Sequence, residues 1–261
     1  MAVELDVPHL LVPGDREGEA ITDTPPRELR ILCEHEWLTV TWTRHAVGER
    51  GAEPHVHLHH VDAFYILEGE LALRVGPELD RVTAGAGTLV MVPPGVVHGF
   101  DNDGPEELRF LNYHAPGSGF AEYLRGRNDD FDQQDPPADG GRPASDVVIV
   151  PPGGGERFQR RTSAITILGD LPELSFSRLE VGPVWQGIPE HDHSDQVDSF
   201  FVLDGEAGLV SGDGFAEAGP GSFYGAPPGA RHGIRESPAE GTVFLNAHGP
   251  DAGFADWVRG Q

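Results

Sequence analysis

At 261 residues, with 38% hydrophobic and 23% charged side chains, the chain has enough apolar material for one or two packed domains, and wholesale disorder is excluded. Its formal charge of −25 repels phosphate backbones and anionic lipid, so neither nucleic acid nor a membrane surface is an expected partner. All 18 basic residues are Arg and there is no Lys, which excludes Schiff-base chemistry and a Walker-type phosphate loop. The one cysteine, Cys33, excludes an intrachain disulfide and any cysteine-based zinc or iron–sulfur site, and it reads as an ordinary buried thiol. No apolar run approaches the ~18 residues of a membrane helix, and MAVELDVPHL lacks a signal peptide's basic and apolar regions, so a cytoplasmic protein is expected.

In chain order the sequence reads as short strands between turns, written twice. LLVPG (10–14) is followed by the alternating LTVTWTRHAV (38–47), then by DAFYILEGELALRVG (62–76), which reads as two strands joined by a tight turn at Glu68–Gly69–Glu70. TLVMVPPG (88–95) is a strand ended by prolines, EELRFLNYH (106–114) is another, and GFAEYLRG (119–126) has the spacing of a short helix. After GRNDDFDQQDPPADGGRPAS (126–145), rich in Asp, Pro and Gly, the pattern restarts: VIVPP matches LLVPG, FVLDGE matches YILEGE, and FLNAHGPDAGFADWVRG matches FLNYHAPGSGFAEYLRG. The expected organisation is a first domain over 1–126, a linker over 127–145 and a second domain over 146–261. Each is all-β, a sandwich or barrel ending in one short helix.

Histidines carry the chemistry. The first repeat has PHVHLHHVD (54–62) and PPGVVH (93–98); the second has EHDHSDQVD (190–198) and PPGARH (227–232). Residues i and i+2 of a strand share a face, so His55 projects with His57, and His191 with His193. A carboxylate follows five positions later, Asp62 and Asp198, and a third imidazole, His98 or His232, enters from a later strand. Three imidazoles and a carboxylate suit a divalent transition metal (Fe, Mn, Ni, Zn or Cu), up to one per domain. His59 and His60 occur in the first repeat only and read as a solvated rim pair. His114 and His248 stand at equivalent positions and read as partners of turn carbonyls. Trp185, Phe200, Phe201, Phe223 and Tyr224 enrich the second repeat in aromatics, and the inward half would line an apolar pocket. Arg74 and Arg231 read as solvated.

These residues resemble the two motifs of the cupin family. Its first motif is matched by His55, His57, Asp62 and Gly69, and by His191, His193, Asp198 and Gly205. Its second is matched by Gly87, Pro93, Gly95, His98 and Asn102, and by Gly221, Pro227, Gly229 and His232, with Glu236 in place of the Asn. The resemblance covers nearly the whole chain outside the linker and implies a bicupin: two tandem antiparallel jelly-roll barrels, each able to hold one metal. Both repeats carry Asp where the family usually has Glu. That leaves open whether Asp62 and Asp198 ligate directly or leave a three-histidine site similar to thiol-dioxygenase centres.

Quercetin-dioxygenase-like bicupins supply the nearest functional analogy. It implies a metal-dependent dioxygenase acting on a small phenolic or enolic substrate, with Asp62 or Asp198 as catalytic base. The alternatives are a non-redox metal-dependent isomerase, lyase or decarboxylase, and a non-catalytic module that binds a metabolite or metal. The expected partner is a small-molecule substrate; a homo-oligomer is open.

Overall fold

The structure, a computed structural model, describes residues 6–11, 18–211, 214–235 and 241–261. It is nearly all strand and divides into two compact units. One spans Glu19–Gly154; the other spans Gly155–Gln261 and includes the strand His9–Leu11. Each unit pairs a seven-stranded antiparallel sheet with a smaller one, the jelly-roll expectation.

In the first unit the large sheet runs, in spatial order, Val148–Val150, Leu89–Val92, Val61–Glu68, Leu108–Ala115, Leu38–His45, Arg27–His35 and Glu19–Asp23. Glu70–Val75 is the middle strand of the small sheet, between Asp80–Gly85 and His98–Asp101. Val61–Glu68 and Glu70–Val75 therefore belong to different sheets, and Gly69 is the corner between them. Its φ of +74° suits glycine, and a Cβ there would collide with the Glu107 carbonyl oxygen. Gly205 repeats the arrangement in the second unit, with φ +76° and the Gly241 carbonyl oxygen where a Cβ would have to sit. Inward side chains of the two sheets, among them Phe64, Ile66, Leu71, Leu73, Leu108 and Phe110, form the first core.

Three features differ from the sequence reading. First, the opening strands are exchanged. His9–Leu11 pairs with Phe223–Ala226 of the second unit, and Val148–Val150 pairs with Leu89–Val92 of the first. Two short apolar strands of near-identical pattern can complete either sheet by backbone pairing, so the choice is tertiary. Second, residues 127–145 are no free linker. Phe131 is buried, and Val56 and Gln134 exchange two backbone hydrogen bonds of 3.0 and 2.9 Å within the first unit. Third, the helices Phe120–Leu124 and Phe254–Arg259, read from the sequence only as short terminal helices, pack against the histidine sets: the Phe120 ring lies 3.7 Å, centroid to centroid, from that of His114, and the Phe254 ring 4.6 Å from that of His248. Glu236, the departure from the second motif, lies outside the described residues.

His45 is the core's most exacting polar group. It is 2% exposed, stacks on Phe100 at 6.0 Å and meets Phe110 edge-on at 5.9 Å, and its buried Nδ1 has no partner among the described residues. Burial, helped by Arg27 and Arg44, pushes its pKa down to about 4. The unfolded imidazole therefore takes up a proton before the folded one does. Stability is complete above about pH 6.5 and falls as the pH drops towards 4, by up to about 3 kcal/mol at this residue. Urea unfolding of His45→Phe is expected to show a pH dependence between 6.5 and 4 shallower than wild type by about that amount; parallel curves would contradict the assignment.

Candidate metal centre

Local backbone pairing brings the ligand candidates together. In the first unit His55 N–H donates to the His98 carbonyl at 2.9 Å, and His98 N–H to the His55 carbonyl at 2.8 Å, which sets their rings 4.3 Å apart. His191 and His232 are register partners in the second unit, with rings 4.5 Å apart. The proline–glycine turns hold the other end: Gly95 N–H donates to the His57 carbonyl at 2.7 Å and Gly229 N–H to that of His193 at 2.6 Å. Asp62 lies opposite His114 in the strand register, and Asp198 opposite His248. This cross-strand pairing aims each carboxylate at the imidazoles.

The resulting clusters are near copies. His55 Nε2 lies 3.2 Å from His57 Nε2, and His98 Nε2 lies 3.1 Å from Asp62 Oδ2, which is 3.8 Å from His57 Nε2. In the second unit His191 and His193 Nε2 are 3.2 Å apart, His232 Nε2 is 3.1 Å from Asp198 Oδ2, and His193 Nε2 is 3.6 Å from that oxygen. Within each set the potential ligand atoms fall inside 4.8 Å of one another. Ligands about 2.1 Å from one ion stand about 3–4 Å apart, so the donor sets fit a divalent metal. Asp62 and Asp198, although a methylene shorter than Glu, bring an oxygen into this circle.

The outer hydrogen bonds aim the inner atoms. His55 Nδ1–H donates to the Glu53 carbonyl at 2.7 Å and His98 Nδ1–H to that of Val96 at 3.1 Å; His191 and His232 use Pro189 and Ala230 at 3.0 and 2.8 Å. With Nδ1 protonated, each Nε2 lone pair faces inward. Burial lowers the pKa of His55 to about 3 and that of His191 in the same direction, keeping them in the neutral, ligating form. His232 is also penalised by burial, but its bond to Asp198 outweighs this and raises it. Burial by itself would raise both carboxyls. The surrounding imidazoles, His114, His57 and His98 for Asp62 and His248, His193 and His232 for Asp198, pull them well below the usual range.

The repeated LN-x-H segments supply residues that spacing alone missed. Asn112 Nδ2 donates to Asp62 Oδ1, and Asn246 Nδ2 to Asp198 Oδ1 at 2.6 Å. His114 and His248 are not turn-carbonyl partners; their Nε2 atoms lie 3.6 and 3.3 Å from the same carboxylate oxygens. His60, expected on the rim, is fully buried with Nδ1 3.1 Å from Asp132 Oδ2 and Nε2 2.9 Å from His114 Nδ1; of the pair, His59 alone is exposed. Arg74 is held by Asp101 at 2.9 Å, and Arg231 reaches the Glu190 carbonyl at 3.4 Å.

The two sites differ in access. His55, His57, Asp62 and His98 are all buried, and the segment at Phe131 and Asp132 lies over them, with the Asp132 carbonyl accepting from His57 Nδ1–H. In the second unit the His193 side chain is 27% exposed, and the site opens into a cavity of about 770 Å³. Trp185, Ile188, Phe200, Phe254 and Trp257 contribute its apolar wall, whereas Phe201, Phe223 and Tyr224 pack elsewhere.

The fold of the two jelly-roll units is matched among known proteins. The cupin domain family matches residues 41–114, within the first unit, and the whole chain shares the fold of solved cupin proteins. No curated protein matches the chain at the sequence level. Among solved structures it is similar to Ylba of E. coli (TM-score 0.69, 13% identity, covering 95% of this chain and 93% of that one). It is similar also to a cupin 2 conserved barrel domain protein from Leptotrichia buccalis (0.62, 10%, 95% and 99%) and to oxalate decarboxylase of Bacillus subtilis (0.61, 16%, 96% and 78%). Among the described residues no helix is long and apolar enough to cross a membrane.

Metal analysis after single replacement tests the two sets separately. His55→Ala and His191→Ala are each expected to lose about one equivalent while retaining the other. Asn246→Ala, which removes the bond to Asp198 together with those to the Ser199 carbonyl and from the Ser177 hydroxyl but leaves every ligand candidate in place, is expected to weaken metal binding by about 10- to 100-fold. Unchanged metal content in both histidine variants would contradict the ligand assignment.

Proposed function

We propose that the second unit is the seat of a metal-dependent dioxygenase acting on a small, neutral organic molecule with a phenolic or enolic oxygen. In this reading the first unit's buried set holds its metal for structure. One observation carries it: equivalent quartets occur in both units, yet the one at His191, His193, Asp198 and His232 faces a cavity large enough for a substrate.

A divalent ion held by those four residues would supply a Lewis-acid and redox centre for the substrate oxygen and dioxygen. Both atoms of dioxygen end in the product, so the substrate is oxidised, dioxygen is reduced, and no separate reductant is needed. Asp198 is pinned through Oδ1 by Asn246, and its lowered carboxyl pKa makes it a weak base at neutral pH. We therefore assign Asp198, and Asp62 in the first unit, to holding the metal rather than to proton transfer. Trp185, Ile188 and Phe200 exclude water and position an apolar substrate body beside the imidazoles.

Oxalate decarboxylase shares the fold, but its named substrate is a small dianion. Among the described residues no Arg lines this cavity, and the chain has no Lys, so beyond the metal itself such an anion would find the carboxylates of Glu190 and Asp195 and no cationic side chain to bind its far end. This favours the dioxygenase reading over a decarboxylase of small acids. The charge of −25 and a cavity of small-molecule size also support a small-molecule partner rather than nucleic acid.

Of protein loaded separately with Fe, Ni, Cu, Mn or Zn, the Fe, Ni or Cu forms should consume oxygen in step with loss of a phenolic or enolic substrate, and the Zn form, whose ion has no redox chemistry, should not. His191→Ala should abolish turnover, and His55→Ala should leave most of it if the protein folds. Turnover with no oxygen consumed would replace the dioxygenase with the isomerase or lyase alternative; ligand binding with no turnover across the panel would leave a binding module.

A further inference from the structure

The first unit carries its own ligand. Phe131 sits in a ring of five side chains, with centroids 5.5 Å from His57, 5.3 Å from His60, 5.7 Å from His114, 5.1 Å from Phe120 and 5.0 Å from Tyr123. By the repeat, those positions in the second unit are His193, Gln196, His248, Phe254 and Trp257, and all five line the cavity. Among the described residues, none there takes the place of Phe131. The cavity is the space that, in the first unit, an aromatic ring fills.

Asp132 completes the comparison. Its carbonyl accepts from His57 Nδ1–H, while its carboxylate accepts from Leu58 N–H at 3.0 Å, His59 N–H at 2.7 Å and the His60 side chain at 3.1 Å. The counterpart donors are His193 Nδ1–H, the N–H groups of Ser194 and Asp195, and the Gln196 amide. None of them meets a protein acceptor among the described residues. The site thus presents an aromatic-sized space beside a set of donors awaiting an acceptor oxygen. The charge around those donors has changed, however. The imidazoles of His59 and His60 are replaced by the carboxylate of Asp195 and the neutral amide of Gln196. An anionic acceptor is disfavoured there, and a carbonyl is not.

We propose that the second unit binds an aryl carbonyl compound: an aromatic ring seated between His193, His248, Phe254 and Trp257, joined by a short link to a neutral carbonyl that accepts from His193 Nδ1–H and the Gln196 amide. The proposal rests on the reading of this site as the functional one and names its ligand class. Phe131 and Asp132 are the intramolecular counterpart of that ligand.

The test uses the full chain with metal content measured on every sample. Titration with 4-phenylbutan-2-one, followed by calorimetry and by the fluorescence of the cavity indoles Trp185 and Trp257, should give one site per chain. 4-Cyclohexylbutan-2-one should bind roughly two- to ten-fold more weakly for loss of the aromatic contacts. Butylbenzene should lose a similar factor for lack of the acceptor. 3-Phenylpropanoate should bind more weakly than the ketone. Trp257→Ala, at an exposed position that does not endanger folding, should weaken the ketone further. Phe131→Ala should open the first unit and raise the stoichiometry from one to two, since a vacated aromatic space accepts a free ring. If that variant fails to fold, the wild-type series and Trp257→Ala decide alone. Equal binding of ring and cyclohexyl probes, tighter binding of the carboxylate, or no saturable binding would overturn the ligand assignment while leaving the metal reading intact. Full metal retention in His191→Ala would instead overturn the metal reading.

Discussion

A carboxylate buried to within a few per cent of complete exclusion from water, as Asp62 and Asp198 are, needs donors or countercharge close by. Here the donors are an asparagine amide and a ring of imidazoles, and among the described residues no arginine joins them. Three of those imidazoles direct Nε2 at one shared point with the carboxylate oxygen, an arrangement whose remaining charge a divalent cation would balance. The barrel provides the precision. Backbone pairing of His55 with His98, and of His191 with His232, places two ligands. The sheet register then places the carboxylate against His114 or His248. Loosening any of these strands would misplace several ligands at once.

Given two equivalent centres, function is decided by what lies over them. In the first unit the polypeptide folds back, so that Phe131 and Asp132 occupy the space and satisfy the outer donors. In the second unit His193, Gln196, His248, Phe254 and Trp257, the counterparts of the residues around Phe131, form the wall of a cavity. Duplication preserved the inner geometry in both halves, and the difference in access suits one to hold a metal out of solvent and the other to receive a ligand.

Much of the inner site was legible because its signals are short-range. The i, i+2 alternation put His55 with His57 and His191 with His193, and the repeat tied each pair to a carboxylate and a third histidine. Asn112 and Asn246 were visible in the same repeat, but nothing local says that an amide will face a carboxylate on a neighbouring strand. His60 was misread for a related reason. Its buried role depends on Asp132, 72 positions later, and on His114, and a charged, proline-rich stretch carries no periodic sign of where it will pack.

Composition, periodicity and internal repetition by themselves determined the all-β class, the duplicated design, the terminal helices and the identity of the converging histidines and carboxylates, because these follow from side-chain alternation and turn chemistry. Only the tertiary structure decided which unit each opening strand completes, that the segment after the first helix seals one site, and that among the described residues a cavity adjoins the other. Those outcomes depend on contacts between residues far apart in the chain, where near-identical local patterns offer equivalent backbone pairings and only three-dimensional packing distinguishes them.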